Sequence, residues 1–519
     1  MAFFDSSKEV ADRYLQNIVF VDERAYKESD NQQHAFNAKT VSDAFARKQK
    51  LSTVFAPSSE EELNDCLPML LKADVIVLDW SMDFQDMTSA GVDDVDDTED
   101  EEQDDTRGKH TLTLIDRIVE DAGKDKIRLI VVYTGETNLS GITDTIYSKR
   151  EEGIFAKDTC KVSSQNICIL IRAKENGGGV QYRHLSELQA MVWSYENLPD
   201  LILEEFTRMV YGLLPNYALG AINTIRESTS KMLGVFSKDL DAAYLGHLVA
   251  IPDKEDGARL LAEIFGTSIK ELLEDSRLIE NGWVDEWIDE QVPDGGRQTT
   301  IKNTVTLTKE KVHKFWSSDK TELKKKFNEA FGESVKQEDI ILDRATGVFA
   351  DGAEKKNMQF AVLTQMRNTF GPSSAPKKLS QGTIVKTGDS YYVCLQPRCD
   401  SGRIRAKKDG ERLARPFLFL PLSETGRGIA VVVDEKTLKV DNTSHRIQSF
   451  SFAPENGDSD IVFKEQDGVL CVNDQAGIHF VWKGELKELQ AQRVNMNYSN
   501  ELSRVGLDES EWLRLKSGK

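Results

Sequence analysis

The chain of 519 residues has no apolar run near 18 residues, the length that a membrane-spanning helix requires, so we predict no transmembrane helix. Its first residues, MAFFDSSKEVADRY, lack the basic region and apolar core of a secretory signal, so we expect none there. The sequence has six cysteines, none in a C-x-x-C pair, and seven histidines. We therefore expect a cytoplasmic protein with reduced thiols and little material for a histidine-based metal site.

Positive charge is outnumbered by negative charge. The chain has 66 Lys and Arg residues against 87 Asp and Glu residues, a formal net charge of −21. This balance makes the whole chain a poor match for bare nucleic acid or an anionic membrane. Residues 93–105, DDVDDTEDEEQDD, concentrate acidic side chains, and like charges at that density cannot pack. We predict a solvated loop there, with a tether for a basic partner surface as the alternative role.

Five short apolar segments alternate with helical segments in the first 180 residues. This alternation predicts an α/β fold with a five-stranded, doubly wound parallel sheet. Polar side chains stand at the carboxyl ends of four of these strands, namely Asp22 and Glu23, Asp79, Thr134, and Lys174. Because parallel strands joined by helices end at the same edge of a sheet, we expect these side chains to share one crevice.

The residue types at these strand ends suit phosphoryl transfer. Asp22, Glu23 and Asp79 would repel one another unless a cation lies among them, and Mg2+ prefers carboxylate, water and phosphate oxygens. Transfer of a phosphoryl group to an aspartate needs such a cation, together with a hydroxyl and an ammonium. Thr134 and Lys174 supply these two groups. Asp79 is the candidate acceptor, although a carboxylate is also a common first polar residue after a strand.

The first 180 or so residues resemble a response-regulator receiver domain. That family has an acid pair after strand 1, a phosphorylated Asp after strand 3, Thr or Ser after strand 4 and Lys after strand 5. The matching residues here are Asp22–Glu23, Asp79, Thr134 and Lys174. The resemblance implies a Mg2+ site that also uses the backbone carbonyl of Ser81, and a histidine kinase as partner. It implies no enzyme activity beyond the receiver's own phosphorylation and dephosphorylation.

Two departures from the family pattern leave alternatives open. Asp83 stands where the family usually has proline, and the acidic loop follows it. The family-typical distance from Thr134 leads to Lys157, whereas we assign Lys174 because residues 167–171 form the better strand. A pseudo-receiver scaffold, which binds partner proteins without being phosphorylated, is therefore the alternative function.

The rest of the chain predicts further segments. We expect a receiver-like domain at 1–180, a helical domain at 181–290, a linker and helices at 291–378, and a β-rich domain with a C-terminal helix at 379–519. Phrases at 236–245 and 392–400 resemble the receiver-bearing buffer proteins of Detocs phage-defence two-component systems. This resemblance implies a regulator or phosphate sink in antiviral defence that restrains a separate effector protein. No nucleophile–base pair or metal-ligand spacing in these segments indicates an enzyme.

Overall fold

The computed structural model describes most of the chain: residues 2–26, 36–82, 84, 108–123, 126–175, 189–251, 254–278, 282–300, 304–317, 321–332, 338–368, 370, 376–402, 404, 413–455, 459–503 and 516. The chain divides into two compact units, Met1–Asp294 and Gly295–Lys519. The predicted segments 1–180 and 181–290 lie together in the first unit. Whether each of the four predicted segments folds by itself stays a prediction. None of the described helices is long and apolar enough to cross a membrane.

The first unit combines one sheet with helices. Its helices are α1 (Ala2–Tyr14), α2 (Ala38–Arg47), α3 (Glu60–Asp65), α4 (Leu67–Leu70), α5 (Lys109–Ala122), α6 (Leu139–Ser148), α7 (Leu198–Met209), α8 (Leu213–Val235), α9 (Asp241–Ala250), α10 (Lys254–Asp275) and α11 (Trp283–Gln291). Its strands are β1 (Asn17–Val21), β2 (Leu51–Phe55), β3 (Val75–Leu78), β4 (Arg128–Thr134), β5 (Ala156–Asp158), β6 (Lys161–Ser163), β7 (Ile167–Lys174) and β8 (Val192–Trp193).

The five predicted strands form a parallel core in the order β2-β1-β3-β4-β7. This is a common order of doubly wound sheets, with a reversal of direction beside β1 where ligands bind. Every residue of β3, Val-Ile-Val-Leu, is buried. Such β-branched, fully apolar runs are typical of strands covered on both faces.

The sheet is not the purely parallel five-stranded sheet that we predicted. Beyond β7 the order continues through β6 and β5, both antiparallel, and β8 pairs with the end of β7 in parallel. The turn of the β5–β6 hairpin contains Cys160, whose φ is +54°. Strands of three residues with mostly polar side chains carry too little periodicity for sequence analysis to detect.

Two apolar layers cover the sheet, one on each face. Alternate residues of β1 point in opposite directions, so Val19 and Val21 join the layer with α3 to α6, whereas Ile18 and Phe20 join the layer with α1, α2 and α7. Each fully buried aliphatic side chain contributes about 1.5–3 kcal/mol. This double cover fixes the strand ends, and hence the site described below, on a rigid platform.

The helical part of the first unit packs on the sheet layer through α1. The Ser6 hydroxyl donates to Glu286 on α11 at 2.8 Å, and Asn216 on α8 donates to the Ser7 hydroxyl at 2.6 Å. These contacts join chain positions more than 200 residues apart. They explain why the predicted receiver and helical segments belong to one compact unit.

The second unit begins with a pair of short strands, continues in the predicted helices and ends in the predicted β-rich region. Its helices are α12 (Lys309–Trp316), α13 (Leu323–Phe331), α14 (Glu338–Gly347), α15 (Ala353–Gln365), α16 (Arg398–Ser401) and α17 (Glu488–Leu502). Its strands are β9 (Arg297–Thr300), β10 (Thr304–Leu307), β11 (Thr383–Thr387), β12 (Ser390–Cys394), β13 (Arg415–Ser423), β14 (Ala430–Val433), β15 (Lys436–Val440), β16 (Gln448–Phe452), β17 (Lys464–Gln466), β18 (Val469–Asn473) and β19 (His479–Glu485).

Strands β9 and β10 form an antiparallel pair within residues 291–308, where the sequence indicated a linker. Strands β11 to β19 form one antiparallel sheet in the order β14-β15-β13-β12-β11-β19-β18-β17, with β16 beside β13. Apolar clusters lie on both of its faces, one including residues of α17.

Candidate functional site

The structure brings the predicted site residues to one edge of the first sheet. Asp22 follows β1 and Asp79 follows the adjacent β3, while Thr134 ends β4 and Lys174 ends β7. Parallel pairing of Thr134 with Ala173 places the ends of β4 and β7 side by side. All four side chains are buried, with Asp79 the most exposed at 5%. Buried polar groups of this kind require hydrogen-bond or charge partners.

Lys174 supplies that partner at the centre of the site. Its Nζ donates to Asp22 Oδ2 at 2.7 Å and to Asp79 Oδ1 at 2.8 Å. The rings of Phe36 and Tyr133 lie 5.4 and 6.0 Å from the same nitrogen. Carboxylates and aromatic faces together surround a cation that is 1% exposed. Three strand ends are thereby joined by one ammonium group.

The electrostatics of the site follow from burial. Removal from water disfavours the charged form and raises the pKa of Asp22, and the neighbouring charge of Asp79 adds to this, although Lys174 opposes it. Burial alone would lower the pKa of Lys174, but the carboxylates of Asp79 and Asp22 outweigh burial and raise that pKa above its usual value. Lys174 is therefore a cation at neutral pH.

The backbone fixes the second oxygen of each aspartate. The N–H of Ser81 donates to Asp79 Oδ2 at 3.0 Å, and the N–H of Arg24 donates to Asp22 Oδ1 at 2.9 Å. Both carboxylates are thus held by a local turn on one side and by Lys174 on the other. Such double support limits rotation of the side chain and presets the site geometry.

Sequence analysis missed a residue that supports the loop after β3. The buried hydroxyl of Thr111, on α5, donates to the carbonyl oxygens of Asp79 at 2.7 Å and Trp80 at 3.1 Å. Gly108, at the start of α5 with φ +85°, lies so close to Trp80 that a Cβ would overlap its ring. Neither contact has a sequence signal, because residues 85–107 lie in the chain between the strand end at Asp79 and Trp80 and the helix that carries Gly108 and Thr111.

The remaining predicted residues take separate positions around the site. The Thr134 hydroxyl, fully buried, accepts from the N–H of Glu136 at 3.1 Å. Glu23 is 4% exposed, and its Oε1 contacts Arg24 Nε at 3.1 Å. Asp83 and the acidic loop 93–105 lie outside the described residues.

The two candidate lysines occupy different environments. Lys157 lies on β5 at the edge of the sheet, is exposed, and forms an ion pair with Asp144 at 2.9 Å. Lys174 is buried against the two aspartates. The structure therefore gives Lys174 the position that the receiver lysine needs, while its chemical role stays a prediction.

The side-chain oxygens at this edge of the sheet are the donors that a magnesium ion would use. Within the described residues, no three His, Cys, Asp or Glu side chains form a ready metal-binding group. Magnesium in phosphoryl-transfer sites takes one or two carboxylates, with waters and phosphate oxygens as further ligands. Asp22 and Asp79 are an oxygen pair of this kind, because both contact the same ammonium of Lys174. The donor chemistry thus fits Mg2+.

Residues 14–177 match the family model of the response receiver domain. This chain carries a response receiver domain. The match covers about a third of the chain and includes the five parallel strands and all the strand-end residues described above. No curated protein and no solved structure matched the chain. The receiver marks a response-regulator-like protein of two-component signalling, and strand β8 and the helices α7 to α11 extend the first unit beyond it.

Proposed function

We propose that the protein accepts a phosphoryl group on Asp79 from a phosphohistidine of a partner histidine kinase. The observation that supports this most directly is the buried ammonium of Lys174, shared between Asp79 and Asp22 at 2.8 and 2.7 Å. A lysine in this position can neutralise a phosphoryl oxygen as the group arrives. A carboxylate fixed at a sheet edge by a backbone N–H is a preset nucleophile.

The proposed reaction is a phosphoryl transfer between two protein side chains. A carboxylate oxygen of Asp79 attacks phosphorus, an O–P bond forms, and the N–P bond of the phosphohistidine breaks. The imidazole leaves with the electron pair and takes a proton from solvent. The Thr134 hydroxyl, which already accepts from the Glu136 N–H, keeps its own proton to donate to a phosphoryl oxygen. Self-dephosphorylation by water is the remaining chemistry of the site.

Magnesium would be held by Asp22, Glu23, Asp79 and the backbone carbonyl of Ser81. When bound, it supplies positive charge that offsets the charge of the phosphoryl oxygens. The two aspartates already share a cation in Lys174, so this corner of the receiver is built to hold carboxylates and positive charge together.

We place the protein in the cytoplasm, as a regulator or phosphate sink in an antiviral two-component system. The support is the receiver domain, together with the resemblance of residues 236–245 and 392–400 to phage-defence receiver proteins. In this setting a separate effector protein would be restrained or released according to the state of Asp79.

The test is chemical phosphorylation of the full chain. Incubation with acetyl phosphate and Mg2+ should add one phosphoryl mass, which Asp79→Asn should abolish. Asp144→Asn, which changes an exposed aspartate of the same domain, should leave the modification unchanged. An unmodified chain under conditions that label an ordinary receiver would refute the proposal, as would full labelling of Asp79→Asn.

A pseudo-receiver scaffold is the second candidate, and one observation favours it. Asp79 is 5% exposed, and both of its oxygens are already engaged, one by Lys174 and one by the Ser81 N–H. If Asp79→Asn leaves cellular activity intact while substitutions that unfold the receiver abolish it, the scaffold function is the correct one.

A further inference from the structure

One helix of the first unit is mostly apolar but is not buried by other parts of the described structure. Helix α9, Asp241-Ala-Ala-Tyr-Leu-Gly-His-Leu-Val-Ala250, carries ionisable side chains at Asp241, Tyr244 and His247 and is otherwise apolar or glycine. Helices that are apolar on nearly all sides are normally buried. No side chain of α9 is buried, and Leu245 and Val249 are 60% and 89% exposed.

The same exposure extends to the helices that flank α9. No described side chain from Thr229 to Ile251 is buried. The end of α8 exposes Leu233 and Val235, the turn before α9 exposes Leu240, and α10 exposes Ile264. We call residues 229–251 and 254–265 the apolar arm. Large apolar side chains exposed in such number on neighbouring helices are typical of an interaction site.

The apolar arm is an ordered structure. The rings of Phe236 and Phe265 lie 5.6 Å apart, which joins the end of α8 to the middle of α10. At the other end of this helix pair, Gly220 lies beside Leu278. The two helices therefore run antiparallel, and α9 packs through Leu248 beside Gly257 of α10. The exposed side chains stand on a hairpin of helices with a defined shape.

Charge indicates what covers this surface. The apolar arm has four basic residues and five acidic residues, a net charge of −1; they are Lys231, Lys238, Lys254 and Arg259, and Asp239, Asp241, Glu255, Asp256 and Glu263. The whole chain carries −21, so its net charge opposes the association of two copies. Because its net charge is close to zero, the apolar arm is a surface where another copy can dock with little of that repulsion. A basic partner, by contrast, would gain nothing from this surface.

The extent of the surface suits a dimer. The exposed large apolar side chains of the arm, at 37% to 89% exposure, together offer roughly the 800 Å² that each partner gives to a standard interface. An antiparallel helix hairpin can pair with its own copy about a twofold axis, so that each apolar residue is used twice. We propose that the apolar arm mediates self-association of the chain into a twofold dimer, through α9 and the adjoining parts of α8 and α10.

Sedimentation velocity on the full chain tests this proposal. At micromolar concentration, the sedimentation of the wild type should correspond to a particle of twice the chain mass of 58.4 kDa. Because salt screens the repulsion between two acidic chains, dimerisation should strengthen as the salt concentration rises. A wild-type chain that stays monomeric at every concentration overturns the proposal, and so does a dimer that dissociates on addition of salt.

Two matched variants locate the interface. Leu245→Glu should weaken dimerisation by about 100-fold or more, because a twofold interface loses one buried leucine on each side and gains two charges. Leu489→Glu is the control, since Leu489 is also an exposed helical leucine, 76% exposed, but lies on α17 in the second unit. It should leave the dimer unchanged. Equal dissociation by both variants, or by neither, overturns the assignment to the apolar arm.

Discussion

Replacing Lys174 with methionine would leave the carboxylates of Asp22 and Asp79 buried without the ammonium that both contact. Removing one partner of a buried ion pair typically costs about 3–5 kcal/mol, since the remaining charge has no compensation. Methionine keeps most of the volume, so little of this loss would come from packing. We expect the free energy of unfolding of the receiver to fall by about 3–5 kcal/mol at pH 7.5.

The expected loss depends on pH, because the variant can protonate a carboxyl group instead. Neutralising an aspartate of ordinary pKa near 3.9 costs about 1.4 kcal/mol for each pH unit above that value. Protonation of one aspartate therefore limits the loss in free energy of unfolding of Lys174→Met to about 5 kcal/mol at pH 7.5 and about 2 kcal/mol at pH 5.5. The sign follows from the raised pKa that burial already gives Asp22. Loss of Lys174 raises the pKa of Asp22 further. The loss in free energy of unfolding therefore disappears as the pH falls toward the pKa that Asp22 has in the unfolded chain.

Hydrogen exchange measured at both pH values, on peptides covering β3 and β7, reports the loss of stability at the strands that end on Asp79 and Lys174. Lys157→Met is the control, because the Lys157–Asp144 pair is exposed on both sides and should leave exchange unchanged. Adding Asp22→Asn to Lys174→Met should recover stability at pH 7.5, since one of the two uncompensated carboxylates is removed. If Lys174→Met is as stable as Lys157→Met at pH 7.5, the electrostatic account of the site is wrong.

Two further substitutions test the support of the loop after β3. Thr111→Val keeps the shape but leaves the carbonyls of Asp79 and Trp80 without their donor, so urea denaturation should show a loss of about 1–2 kcal/mol. Thr113→Val, an exposed threonine of the same helix, should cost less, and an equal cost would contradict the role of Thr111. Gly108→Ala should cost about 1–3 kcal/mol more than Gly123→Ala, because both have positive φ but a Cβ at 108 also overlaps Trp80. Equal thermal stability of these two alanine variants would show that contact to be unimportant.

The positions of the predicted site residues could be read from the sequence because they depend on local patterns. The run Val75–Leu78 is a buried strand in any parallel sheet, and Asp79 is the first polar residue after it. The topology of α/β sheets then places such strand ends at one edge. The helical middle and the β-rich end of the chain were equally visible in residue periodicity.

Other features depend on contacts between distant parts of the chain. The antiparallel β5 and β6 contain three residues each, so the pairing of β6 with β7 and of β5 with β6 defines them, and their own composition does not. The sequence already favoured Lys174 over Lys157, because residues 167–171 form the better strand, but the contacts of Lys174 with Asp22 and Asp79 needed the folded structure. Thr111 reaches the backbone of Asp79 across a segment of 31 residues, and nothing in the sequence marks that contact.

The sequence by itself determined which side chains stand at the ends of the strands, because strand length and polarity are local properties. Only the tertiary structure decided how they meet: one buried ammonium contacts two carboxylates and lies near two aromatic rings. The physical reason is that the strength of an interior ion pair depends on the distance between its charges and on the exclusion of water from around them. The packing of both helical layers against the sheet sets those quantities.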